Sequence, residues 1–206
     1  MDVVLAFAAA LVSLRLAADL VRRWLDRRTP ELLAWGASLA AFAAASAALA
    51  WGAAAGWDDR AFRAYYLFGG LLTAPLLGAG SLFRARVSRT GVALLLMLYV
   101  GLALGVAIAM PIDPPVTGPD LPEPGDHLDF FPPRVLALVG NVTGTVAAIV
   151  VAWMGIRRRP LGNTLIIAGV VAAALGSTVA SFASWGGSAF TIVAALLLYA
   201  GFVSPR

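Results

Sequence analysis

Apolar runs of about 20 residues recur along this chain, broken by short arginine-bearing turns, and that repetition restricts the fold more than any other feature. A helix rising 1.5 Å per residue needs roughly 20 apolar residues to cross a hydrocarbon core of about 30 Å. Runs of that kind lie at about 3–22, 31–55, 61–83, 90–111, 134–156, 161–182 and 186–203. The last is the shortest and opens on Gly186-Gly187. In lipid every backbone N–H and C=O must be satisfied inside the segment, so such runs become helices. The expected fold is therefore all-α: an integral membrane bundle of about seven transmembrane helices forming a single domain over residues 1–206. Its partner is the lipid bilayer. Apolar residues make up 61% of the 206 and charged residues 13%, where a water-soluble domain carries about 25% charged residues.

Charge placement orients the bundle. All fifteen basic residues are arginine. With the N-terminus outside, the inner turns hold Arg22, Arg23, Arg27 and Arg28, then Arg84, Arg86 and Arg89, then Arg157, Arg158 and Arg159, and Arg206 joins them at the inner tail. The outer segments hold Arg60, Arg63 and Arg134. Cytoplasmic loops carry the excess of Lys and Arg, so the N-terminus is expected outside and the C-terminus inside, in the cell (plasma) membrane. The net charge of +4 is thus topological and does not point to nucleic acid. Met1-Asp2 precedes the first run and the arginines follow it, which is the reverse of a secretory signal peptide. The six tryptophans (Trp24, Trp35, Trp51, Trp57, Trp153 and Trp185) fall near the ends of the runs, where an indole is expected at headgroup level.

The outer segment at about 112–133 is rich in proline, with eight of the twelve prolines in or beside it. Proline lacks an N–H and fixes φ, so an extended cover is expected here, docked through Leu128, Phe130 and Phe131 onto the bundle or the lipid. Gly52 with Gly56, Gly101 with Gly105, and Gly140 with Gly144 form small-residue seams of the kind that let membrane helices approach closely. They serve either internal packing or an interface with a membrane protein partner or a second copy.

Few groups carry chemistry. Arg15 and Asp19 share a face of the first helix, four residues apart, and are expected to form an intramembrane ion pair. In the third run Arg63, Tyr66 and Thr73 follow helical spacing, with Asp58, Asp59 and Arg60 at the outer entrance and Pro75 permitting a kink. Asn141 and Thr145 on the fifth helix, and Ser177 and Ser181 on the sixth, lie in the same outer half. Together these residues would line a polar cavity opening outward. Alternatively, they anchor and pack helices, with Arg63 pairing with Asp59. The chain has no cysteine, and its single histidine, His127, lies in the proline-rich segment. That excludes thiolate metal sites and a two-histidine haem site, and no metal or cofactor is expected. Neither a P-loop nor a dinucleotide fingerprint is present.

Seven helices and an outside N-terminus resemble microbial rhodopsins, and Leu72-Thr73-Ala74-Pro75-Leu76-Leu77 looks like part of their third helix. That family carries retinal on a lysine of the last helix, and no lysine is present, so the resemblance brings no retinal. The topology also resembles the seven-helix sugar transporters, without their Pro-Gln motif. Arg63-Ala64-Tyr65-Tyr66-Leu67, Leu72-Thr73-Ala74-Pro75, Gly162-Asn163 and Gly201-Phe202 resemble uncharacterised multi-pass membrane proteins of high-GC bacteria, a likeness that implies no activity. The residues favour a non-enzymatic binding, scaffold or accessory subunit. A small-solute or ion carrier or channel built on the cavity between helices three, five and six is the alternative. A lipid-acting enzyme using Asp58, Asp59 and His127 ranks third.

Overall fold

The computed structural model describes the backbone at 2–180 and 184–204 and the side chains at 3–173 and 192–204. Among the described residues the chain is helical and forms no β-strand, only an isolated bridge between Trp57 and Gly118. Helices run at α1 (Asp2–Arg27), α2 (Pro30–Ala55), α3 (Asp59–Arg84), α4 (Arg89–Ala109), α5 (Val135–Met154), α6 (Pro160–Ala180) and α7 (Ser184–Val203). Among the described residues five are long and apolar enough to cross a membrane: α1 to α4, and α5 with the kinked turn Phe130–Arg134 that leads into it. In α6 and α7 the described side chains cover the apolar stretches Pro160–Ala173 and Ile192–Val203.

Local chemistry sets the helix ends. Pro30 opens α2 and Pro160 opens α6, positions where the missing N–H costs no bond. Asp58 caps α3 by accepting from the Ala61 N–H at 2.7 Å, and Ser88 caps α4 by accepting from the Gly91 N–H at 3.3 Å. Arg28 and Arg86 sit at positive φ, 53° and 58°, and reverse the chain within a few residues.

α1 packs on α2 and α7, α3 on α2 and α5, and α5 on α6, which pairs with α7. α4 leans on α3 from outside and exposes Leu94, Leu95, Met97, Leu98, Leu102 and Ile108. In water such a face would be an aggregation hazard; in lipid it is the ordinary surface. Close approach of α3 and α5 depends on glycine. A Cβ on Gly78 would lie 2.6 Å from Gly144 Cα, and one on Gly144 would overlap the Ala74 carbonyl.

One core cluster lies toward the arginine-rich end, around Leu20, Trp35, Leu39, Ile166, Leu198 and Phe202. The other lies toward the proline-rich segment, around Trp57, Phe62, Tyr66, Met110, Val116 and Leu128. Two tryptophans near helix ends thereby turn their rings into the bundle. Trp35 is 1% exposed, with its ring stacked on Phe202 at 4.3 Å, and Trp57 is buried against Tyr65. Glycine explains both: Gly80 and Gly52 lie against these indoles, where any Cβ would collide with the ring. Trp51 and Trp153 are exposed, and the side chain of Trp185 lies outside the described ones. Within the proline-rich segment Leu128 is buried, whereas Phe130 and Phe131 point away from the bundle, Phe131 being 74% exposed.

Candidate functional site

α3 gathers most of the expected site residues. Its outer end is built from charges that satisfy backbone. Asp58 is the N-cap. Asp59 Oδ1 accepts from the Val116 N–H at 2.8 Å. Arg63 reaches across to α4, where its Nη1 donates to the carbonyls of Ala107 at 2.6 Å and Met110 at 3.0 Å. A helix leaves its last carbonyls without partners and carries partial negative charge there. The guanidinium answers both needs, so Arg63 is taken by α4 and not by Asp59. Arg60 is exposed.

The proline-rich segment folds over this end. Trp57 N–H donates to Gly118 O at 2.8 Å, and Asp113 N–H to His127 O at 3.0 Å. His127 Nδ1 lies 2.8 Å from Pro114 O. A carbonyl only accepts, so Nδ1 carries the proton. The ring edge meets Phe62. Asp58, Asp59 and His127, the acid–base candidates, are thus each engaged with main chain.

Midway along, α3 widens into a π-helical turn at Tyr66–Leu72. Pro75 follows and has no N–H to offer the carbonyls four and five residues before it, those of Leu71 and Gly70. Asn141 of α5 supplies a donor instead, its Nδ2 bonding Gly70 O at 2.9 Å. Thr73 Oγ1 donates to Phe68 O at 2.7 Å, and Ser38 of α2 donates to Thr73 O at 2.8 Å. Tyr66 is buried in the same turn, stacked on Phe62 and lying beside Gly70. Gly70 O, freed by Pro75, is satisfied in this way by a neighbouring side chain, whereas Phe68 O accepts both the N–H and the hydroxyl of Thr73.

The structure therefore brings Tyr66, Thr73 and Asn141 together around one irregular turn. Thr145 lies one turn further along α5, half-buried. Arg63 sits apart, bound to the end of α4. Ser177 has its side chain outside the described ones, and Ser181 lies outside the described residues altogether. Two grooves among the described residues lie elsewhere and are apolar. One runs between α1 and α2, and the other lies along Gly101, Gly105 and Pro132. Among the described residues no three His or carboxylate side chains gather as metal ligands.

At the opposite end of the bundle Asp19 is paired, but not with Arg15. Its Oδ2 accepts from Arg23 Nε at 3.0 Å and from the Tyr199 hydroxyl of α7. Both arginines lie four residues away. An acid placed N-terminal to its base is the better order on a helix, and Tyr199 holds the carboxylate on that side. Arg159, buried, donates to Ser204 O beyond α7, the counterpart of Arg63 on α4. Sequence reasoning missed both of these helix-end contacts, since each joins segments more than 40 residues apart. For Arg159 the available signal was an arginine with no acid three or four residues away, whereas for Arg63 helical spacing pointed to Asp59 instead.

No family model matches the chain, and no curated protein or solved structure is found to be similar to it.

Proposed function

We propose that this chain is a multi-pass protein of the plasma membrane that crosses it seven times, N-terminus outside and C-terminus inside, and serves as a non-enzymatic binding, scaffold or accessory subunit. The arginine clusters support the orientation, and the 21 and 20 residues of α6 and α7 are long enough for two further crossings. One observation carries the functional reading. Arg63, Thr73 and Asn141, the side chains best placed to hold a solute, are each bonded to main-chain carbonyls. Groups already committed to main-chain carbonyls are not free to bind cargo. The test is purification in mild detergent followed by identification of what remains bound. A stoichiometric membrane protein, or a second copy, supports the subunit reading. A lone chain that passes solutes across vesicles overturns it.

A carrier is the second reading, favoured by the π-turn beside Pro75, since such turns break helices where function needs it. It expects flux of small anions such as nitrate or phosphate into vesicles holding the purified chain. Flux unaltered by Arg63→Ala combined with Thr73→Ala would remove this site from it.

A further inference from the structure

α1 turns one face away from the bundle. Val4, Phe7, Leu11 and Leu14 on it are exposed. Steps of three and four residues place Arg15, Ala18 and Arg22 on the same strip, and all three are exposed. Arg15 is thus a charge on the outward face of an apolar helix, about 10 Å along the axis from Arg22. Asp19, the carboxylate one turn away, is already held by Arg23 and Tyr199. Arg15 feels the Asp19 charge only at longer range, and among the described residues neither Arg15 nor Arg22 has a hydrogen bond or a close ion pair. A charge facing hydrocarbon with no donor–acceptor contact is expensive, so a close partner from outside the chain is called for.

Directly beyond Arg15, toward the other end of the bundle, a groove of about 270 Å³ opens between α1 and α2. Phe7, Leu11 and Leu14 form one wall, and Ala40, Ala44 and Ala47 form the other. The groove is open along its length, and nothing polar projects from the residues that line it. The order along α1 is therefore Arg22, then Arg15, then an apolar trough from Leu14 to Phe7. That is the order of a phospholipid standing in one leaflet: headgroup phosphate first, acyl chain toward the midplane.

We infer that this face of α1 binds an anionic phospholipid, with Arg15 and Arg22 converging on the phosphate and one acyl chain lying in the alanine-walled groove. Arginine presents a planar fork of donors that matches phosphate oxygens. The seven exposed arginines at this end (Arg22, Arg27, Arg28, Arg86, Arg89, Arg157 and Arg158) raise the local concentration of acidic lipid. The groove then selects one molecule from that pool. The site rests on the reading above that the chain lies in a bilayer, but on no particular partner or activity.

The test is native mass spectrometry of the full chain in detergent, titrated with phosphatidylglycerol and with phosphatidylcholine of the same chain length. One phosphatidylglycerol should be retained about tenfold more tightly than phosphatidylcholine. Arg15→Gln with Arg22→Gln should bring that ratio to within about threefold, whereas Arg157→Gln with Arg158→Gln should leave it unchanged. Ala47→Phe, at an exposed position, should fill the groove and weaken both lipids, which keeps the test open if the arginine variant does not accumulate. The inference falls if the preference survives the Arg15 and Arg22 changes, if it drops equally with the Arg157 and Arg158 changes, or if a partner polypeptide occupies this face. A chain that stays monodisperse without detergent would instead remove the bilayer reading itself.

Discussion

Gly140 and Gly144 on α5 share a spacing with Gly101 and Gly105 on α4, yet the two pairs have opposite surroundings. The α5 pair is pressed against α3 and α4: Gly144 against the backbone of Ala74 and Pro75, Gly140 against Tyr99 and Pro75. A Cβ on Gly101 or Gly105 would meet nothing within 4 Å. Small residues four apart mark a helix face on which another backbone can lie; they do not supply that backbone. α3 supplies one to α5 through Ala74, Pro75 and Gly78. α4 sits at the rim, and its glycine face looks outward.

That contrast can be attacked in order of expected effect. Gly144→Leu should be the most damaging, because the new side chain meets main chain that has no room to yield. Overpacking of this kind should cost about 3 kcal/mol or more, read as a lower unfolding midpoint in micelles, and unchanged stability would mean that α3 and α5 are not in this contact. Arg63→Ala should come next, leaving α4 carbonyls without a charged donor for a loss of about 2 kcal/mol. It should also speed amide hydrogen exchange at Val116, whose N–H is held by Asp59 one turn away; exchange as slow as in the unmodified chain would break the proposed tie between α3 and the segment above it. Asn141→Leu removes the donor to Gly70 O and should cost about 1 kcal/mol, with fluorescence-monitored unfolding as the readout. Gly105→Ala should be the mildest, neutral or stabilising by up to about 1 kcal/mol, since it trades helix-weakening glycine for alanine in open space. A clear destabilisation there, accompanied by loss of a crosslinked dimer, would show that the α4 face is covered after all.

The run lengths made much of the helical scaffold legible. α2 was expected at 31–55 and spans Pro30–Ala55; α5 was expected at 134–156 and spans Val135–Met154. α1 overran its expected end at 22 and continues to Arg27. Hydropathy marks where the apolar stretch stops, whereas a helix continues while its backbone bonds do, here through the arginines. The candidate site was legible in part. Thr73 and Asn141 were picked out as polar residues in apolar surroundings, and they do meet at one turn of α3. Their use was hidden, because Pro75 shows in the sequence but the wider turn beside it, and the carbonyls of Phe68 and Gly70 that these side chains reach, do not. Arg63 illustrates the same limit: helical spacing offered Asp59, and the fold offered the carbonyl end of a helix 44 residues downstream. Trp35 and Trp57 followed the preference for helix ends along the chain, but the slots made by Gly80 and Gly52 drew their rings inward.

The hydroxyl that Tyr199 extends to Asp19 connects α1 with a helix synthesised much later, α7. When α1 leaves the ribosome its carboxylate has only Arg23, a neighbour made moments later on the same helix, to shelter it. The second donor arrives after 180 more residues. This contact of α1 therefore waits, unlatched, until α7 is in place.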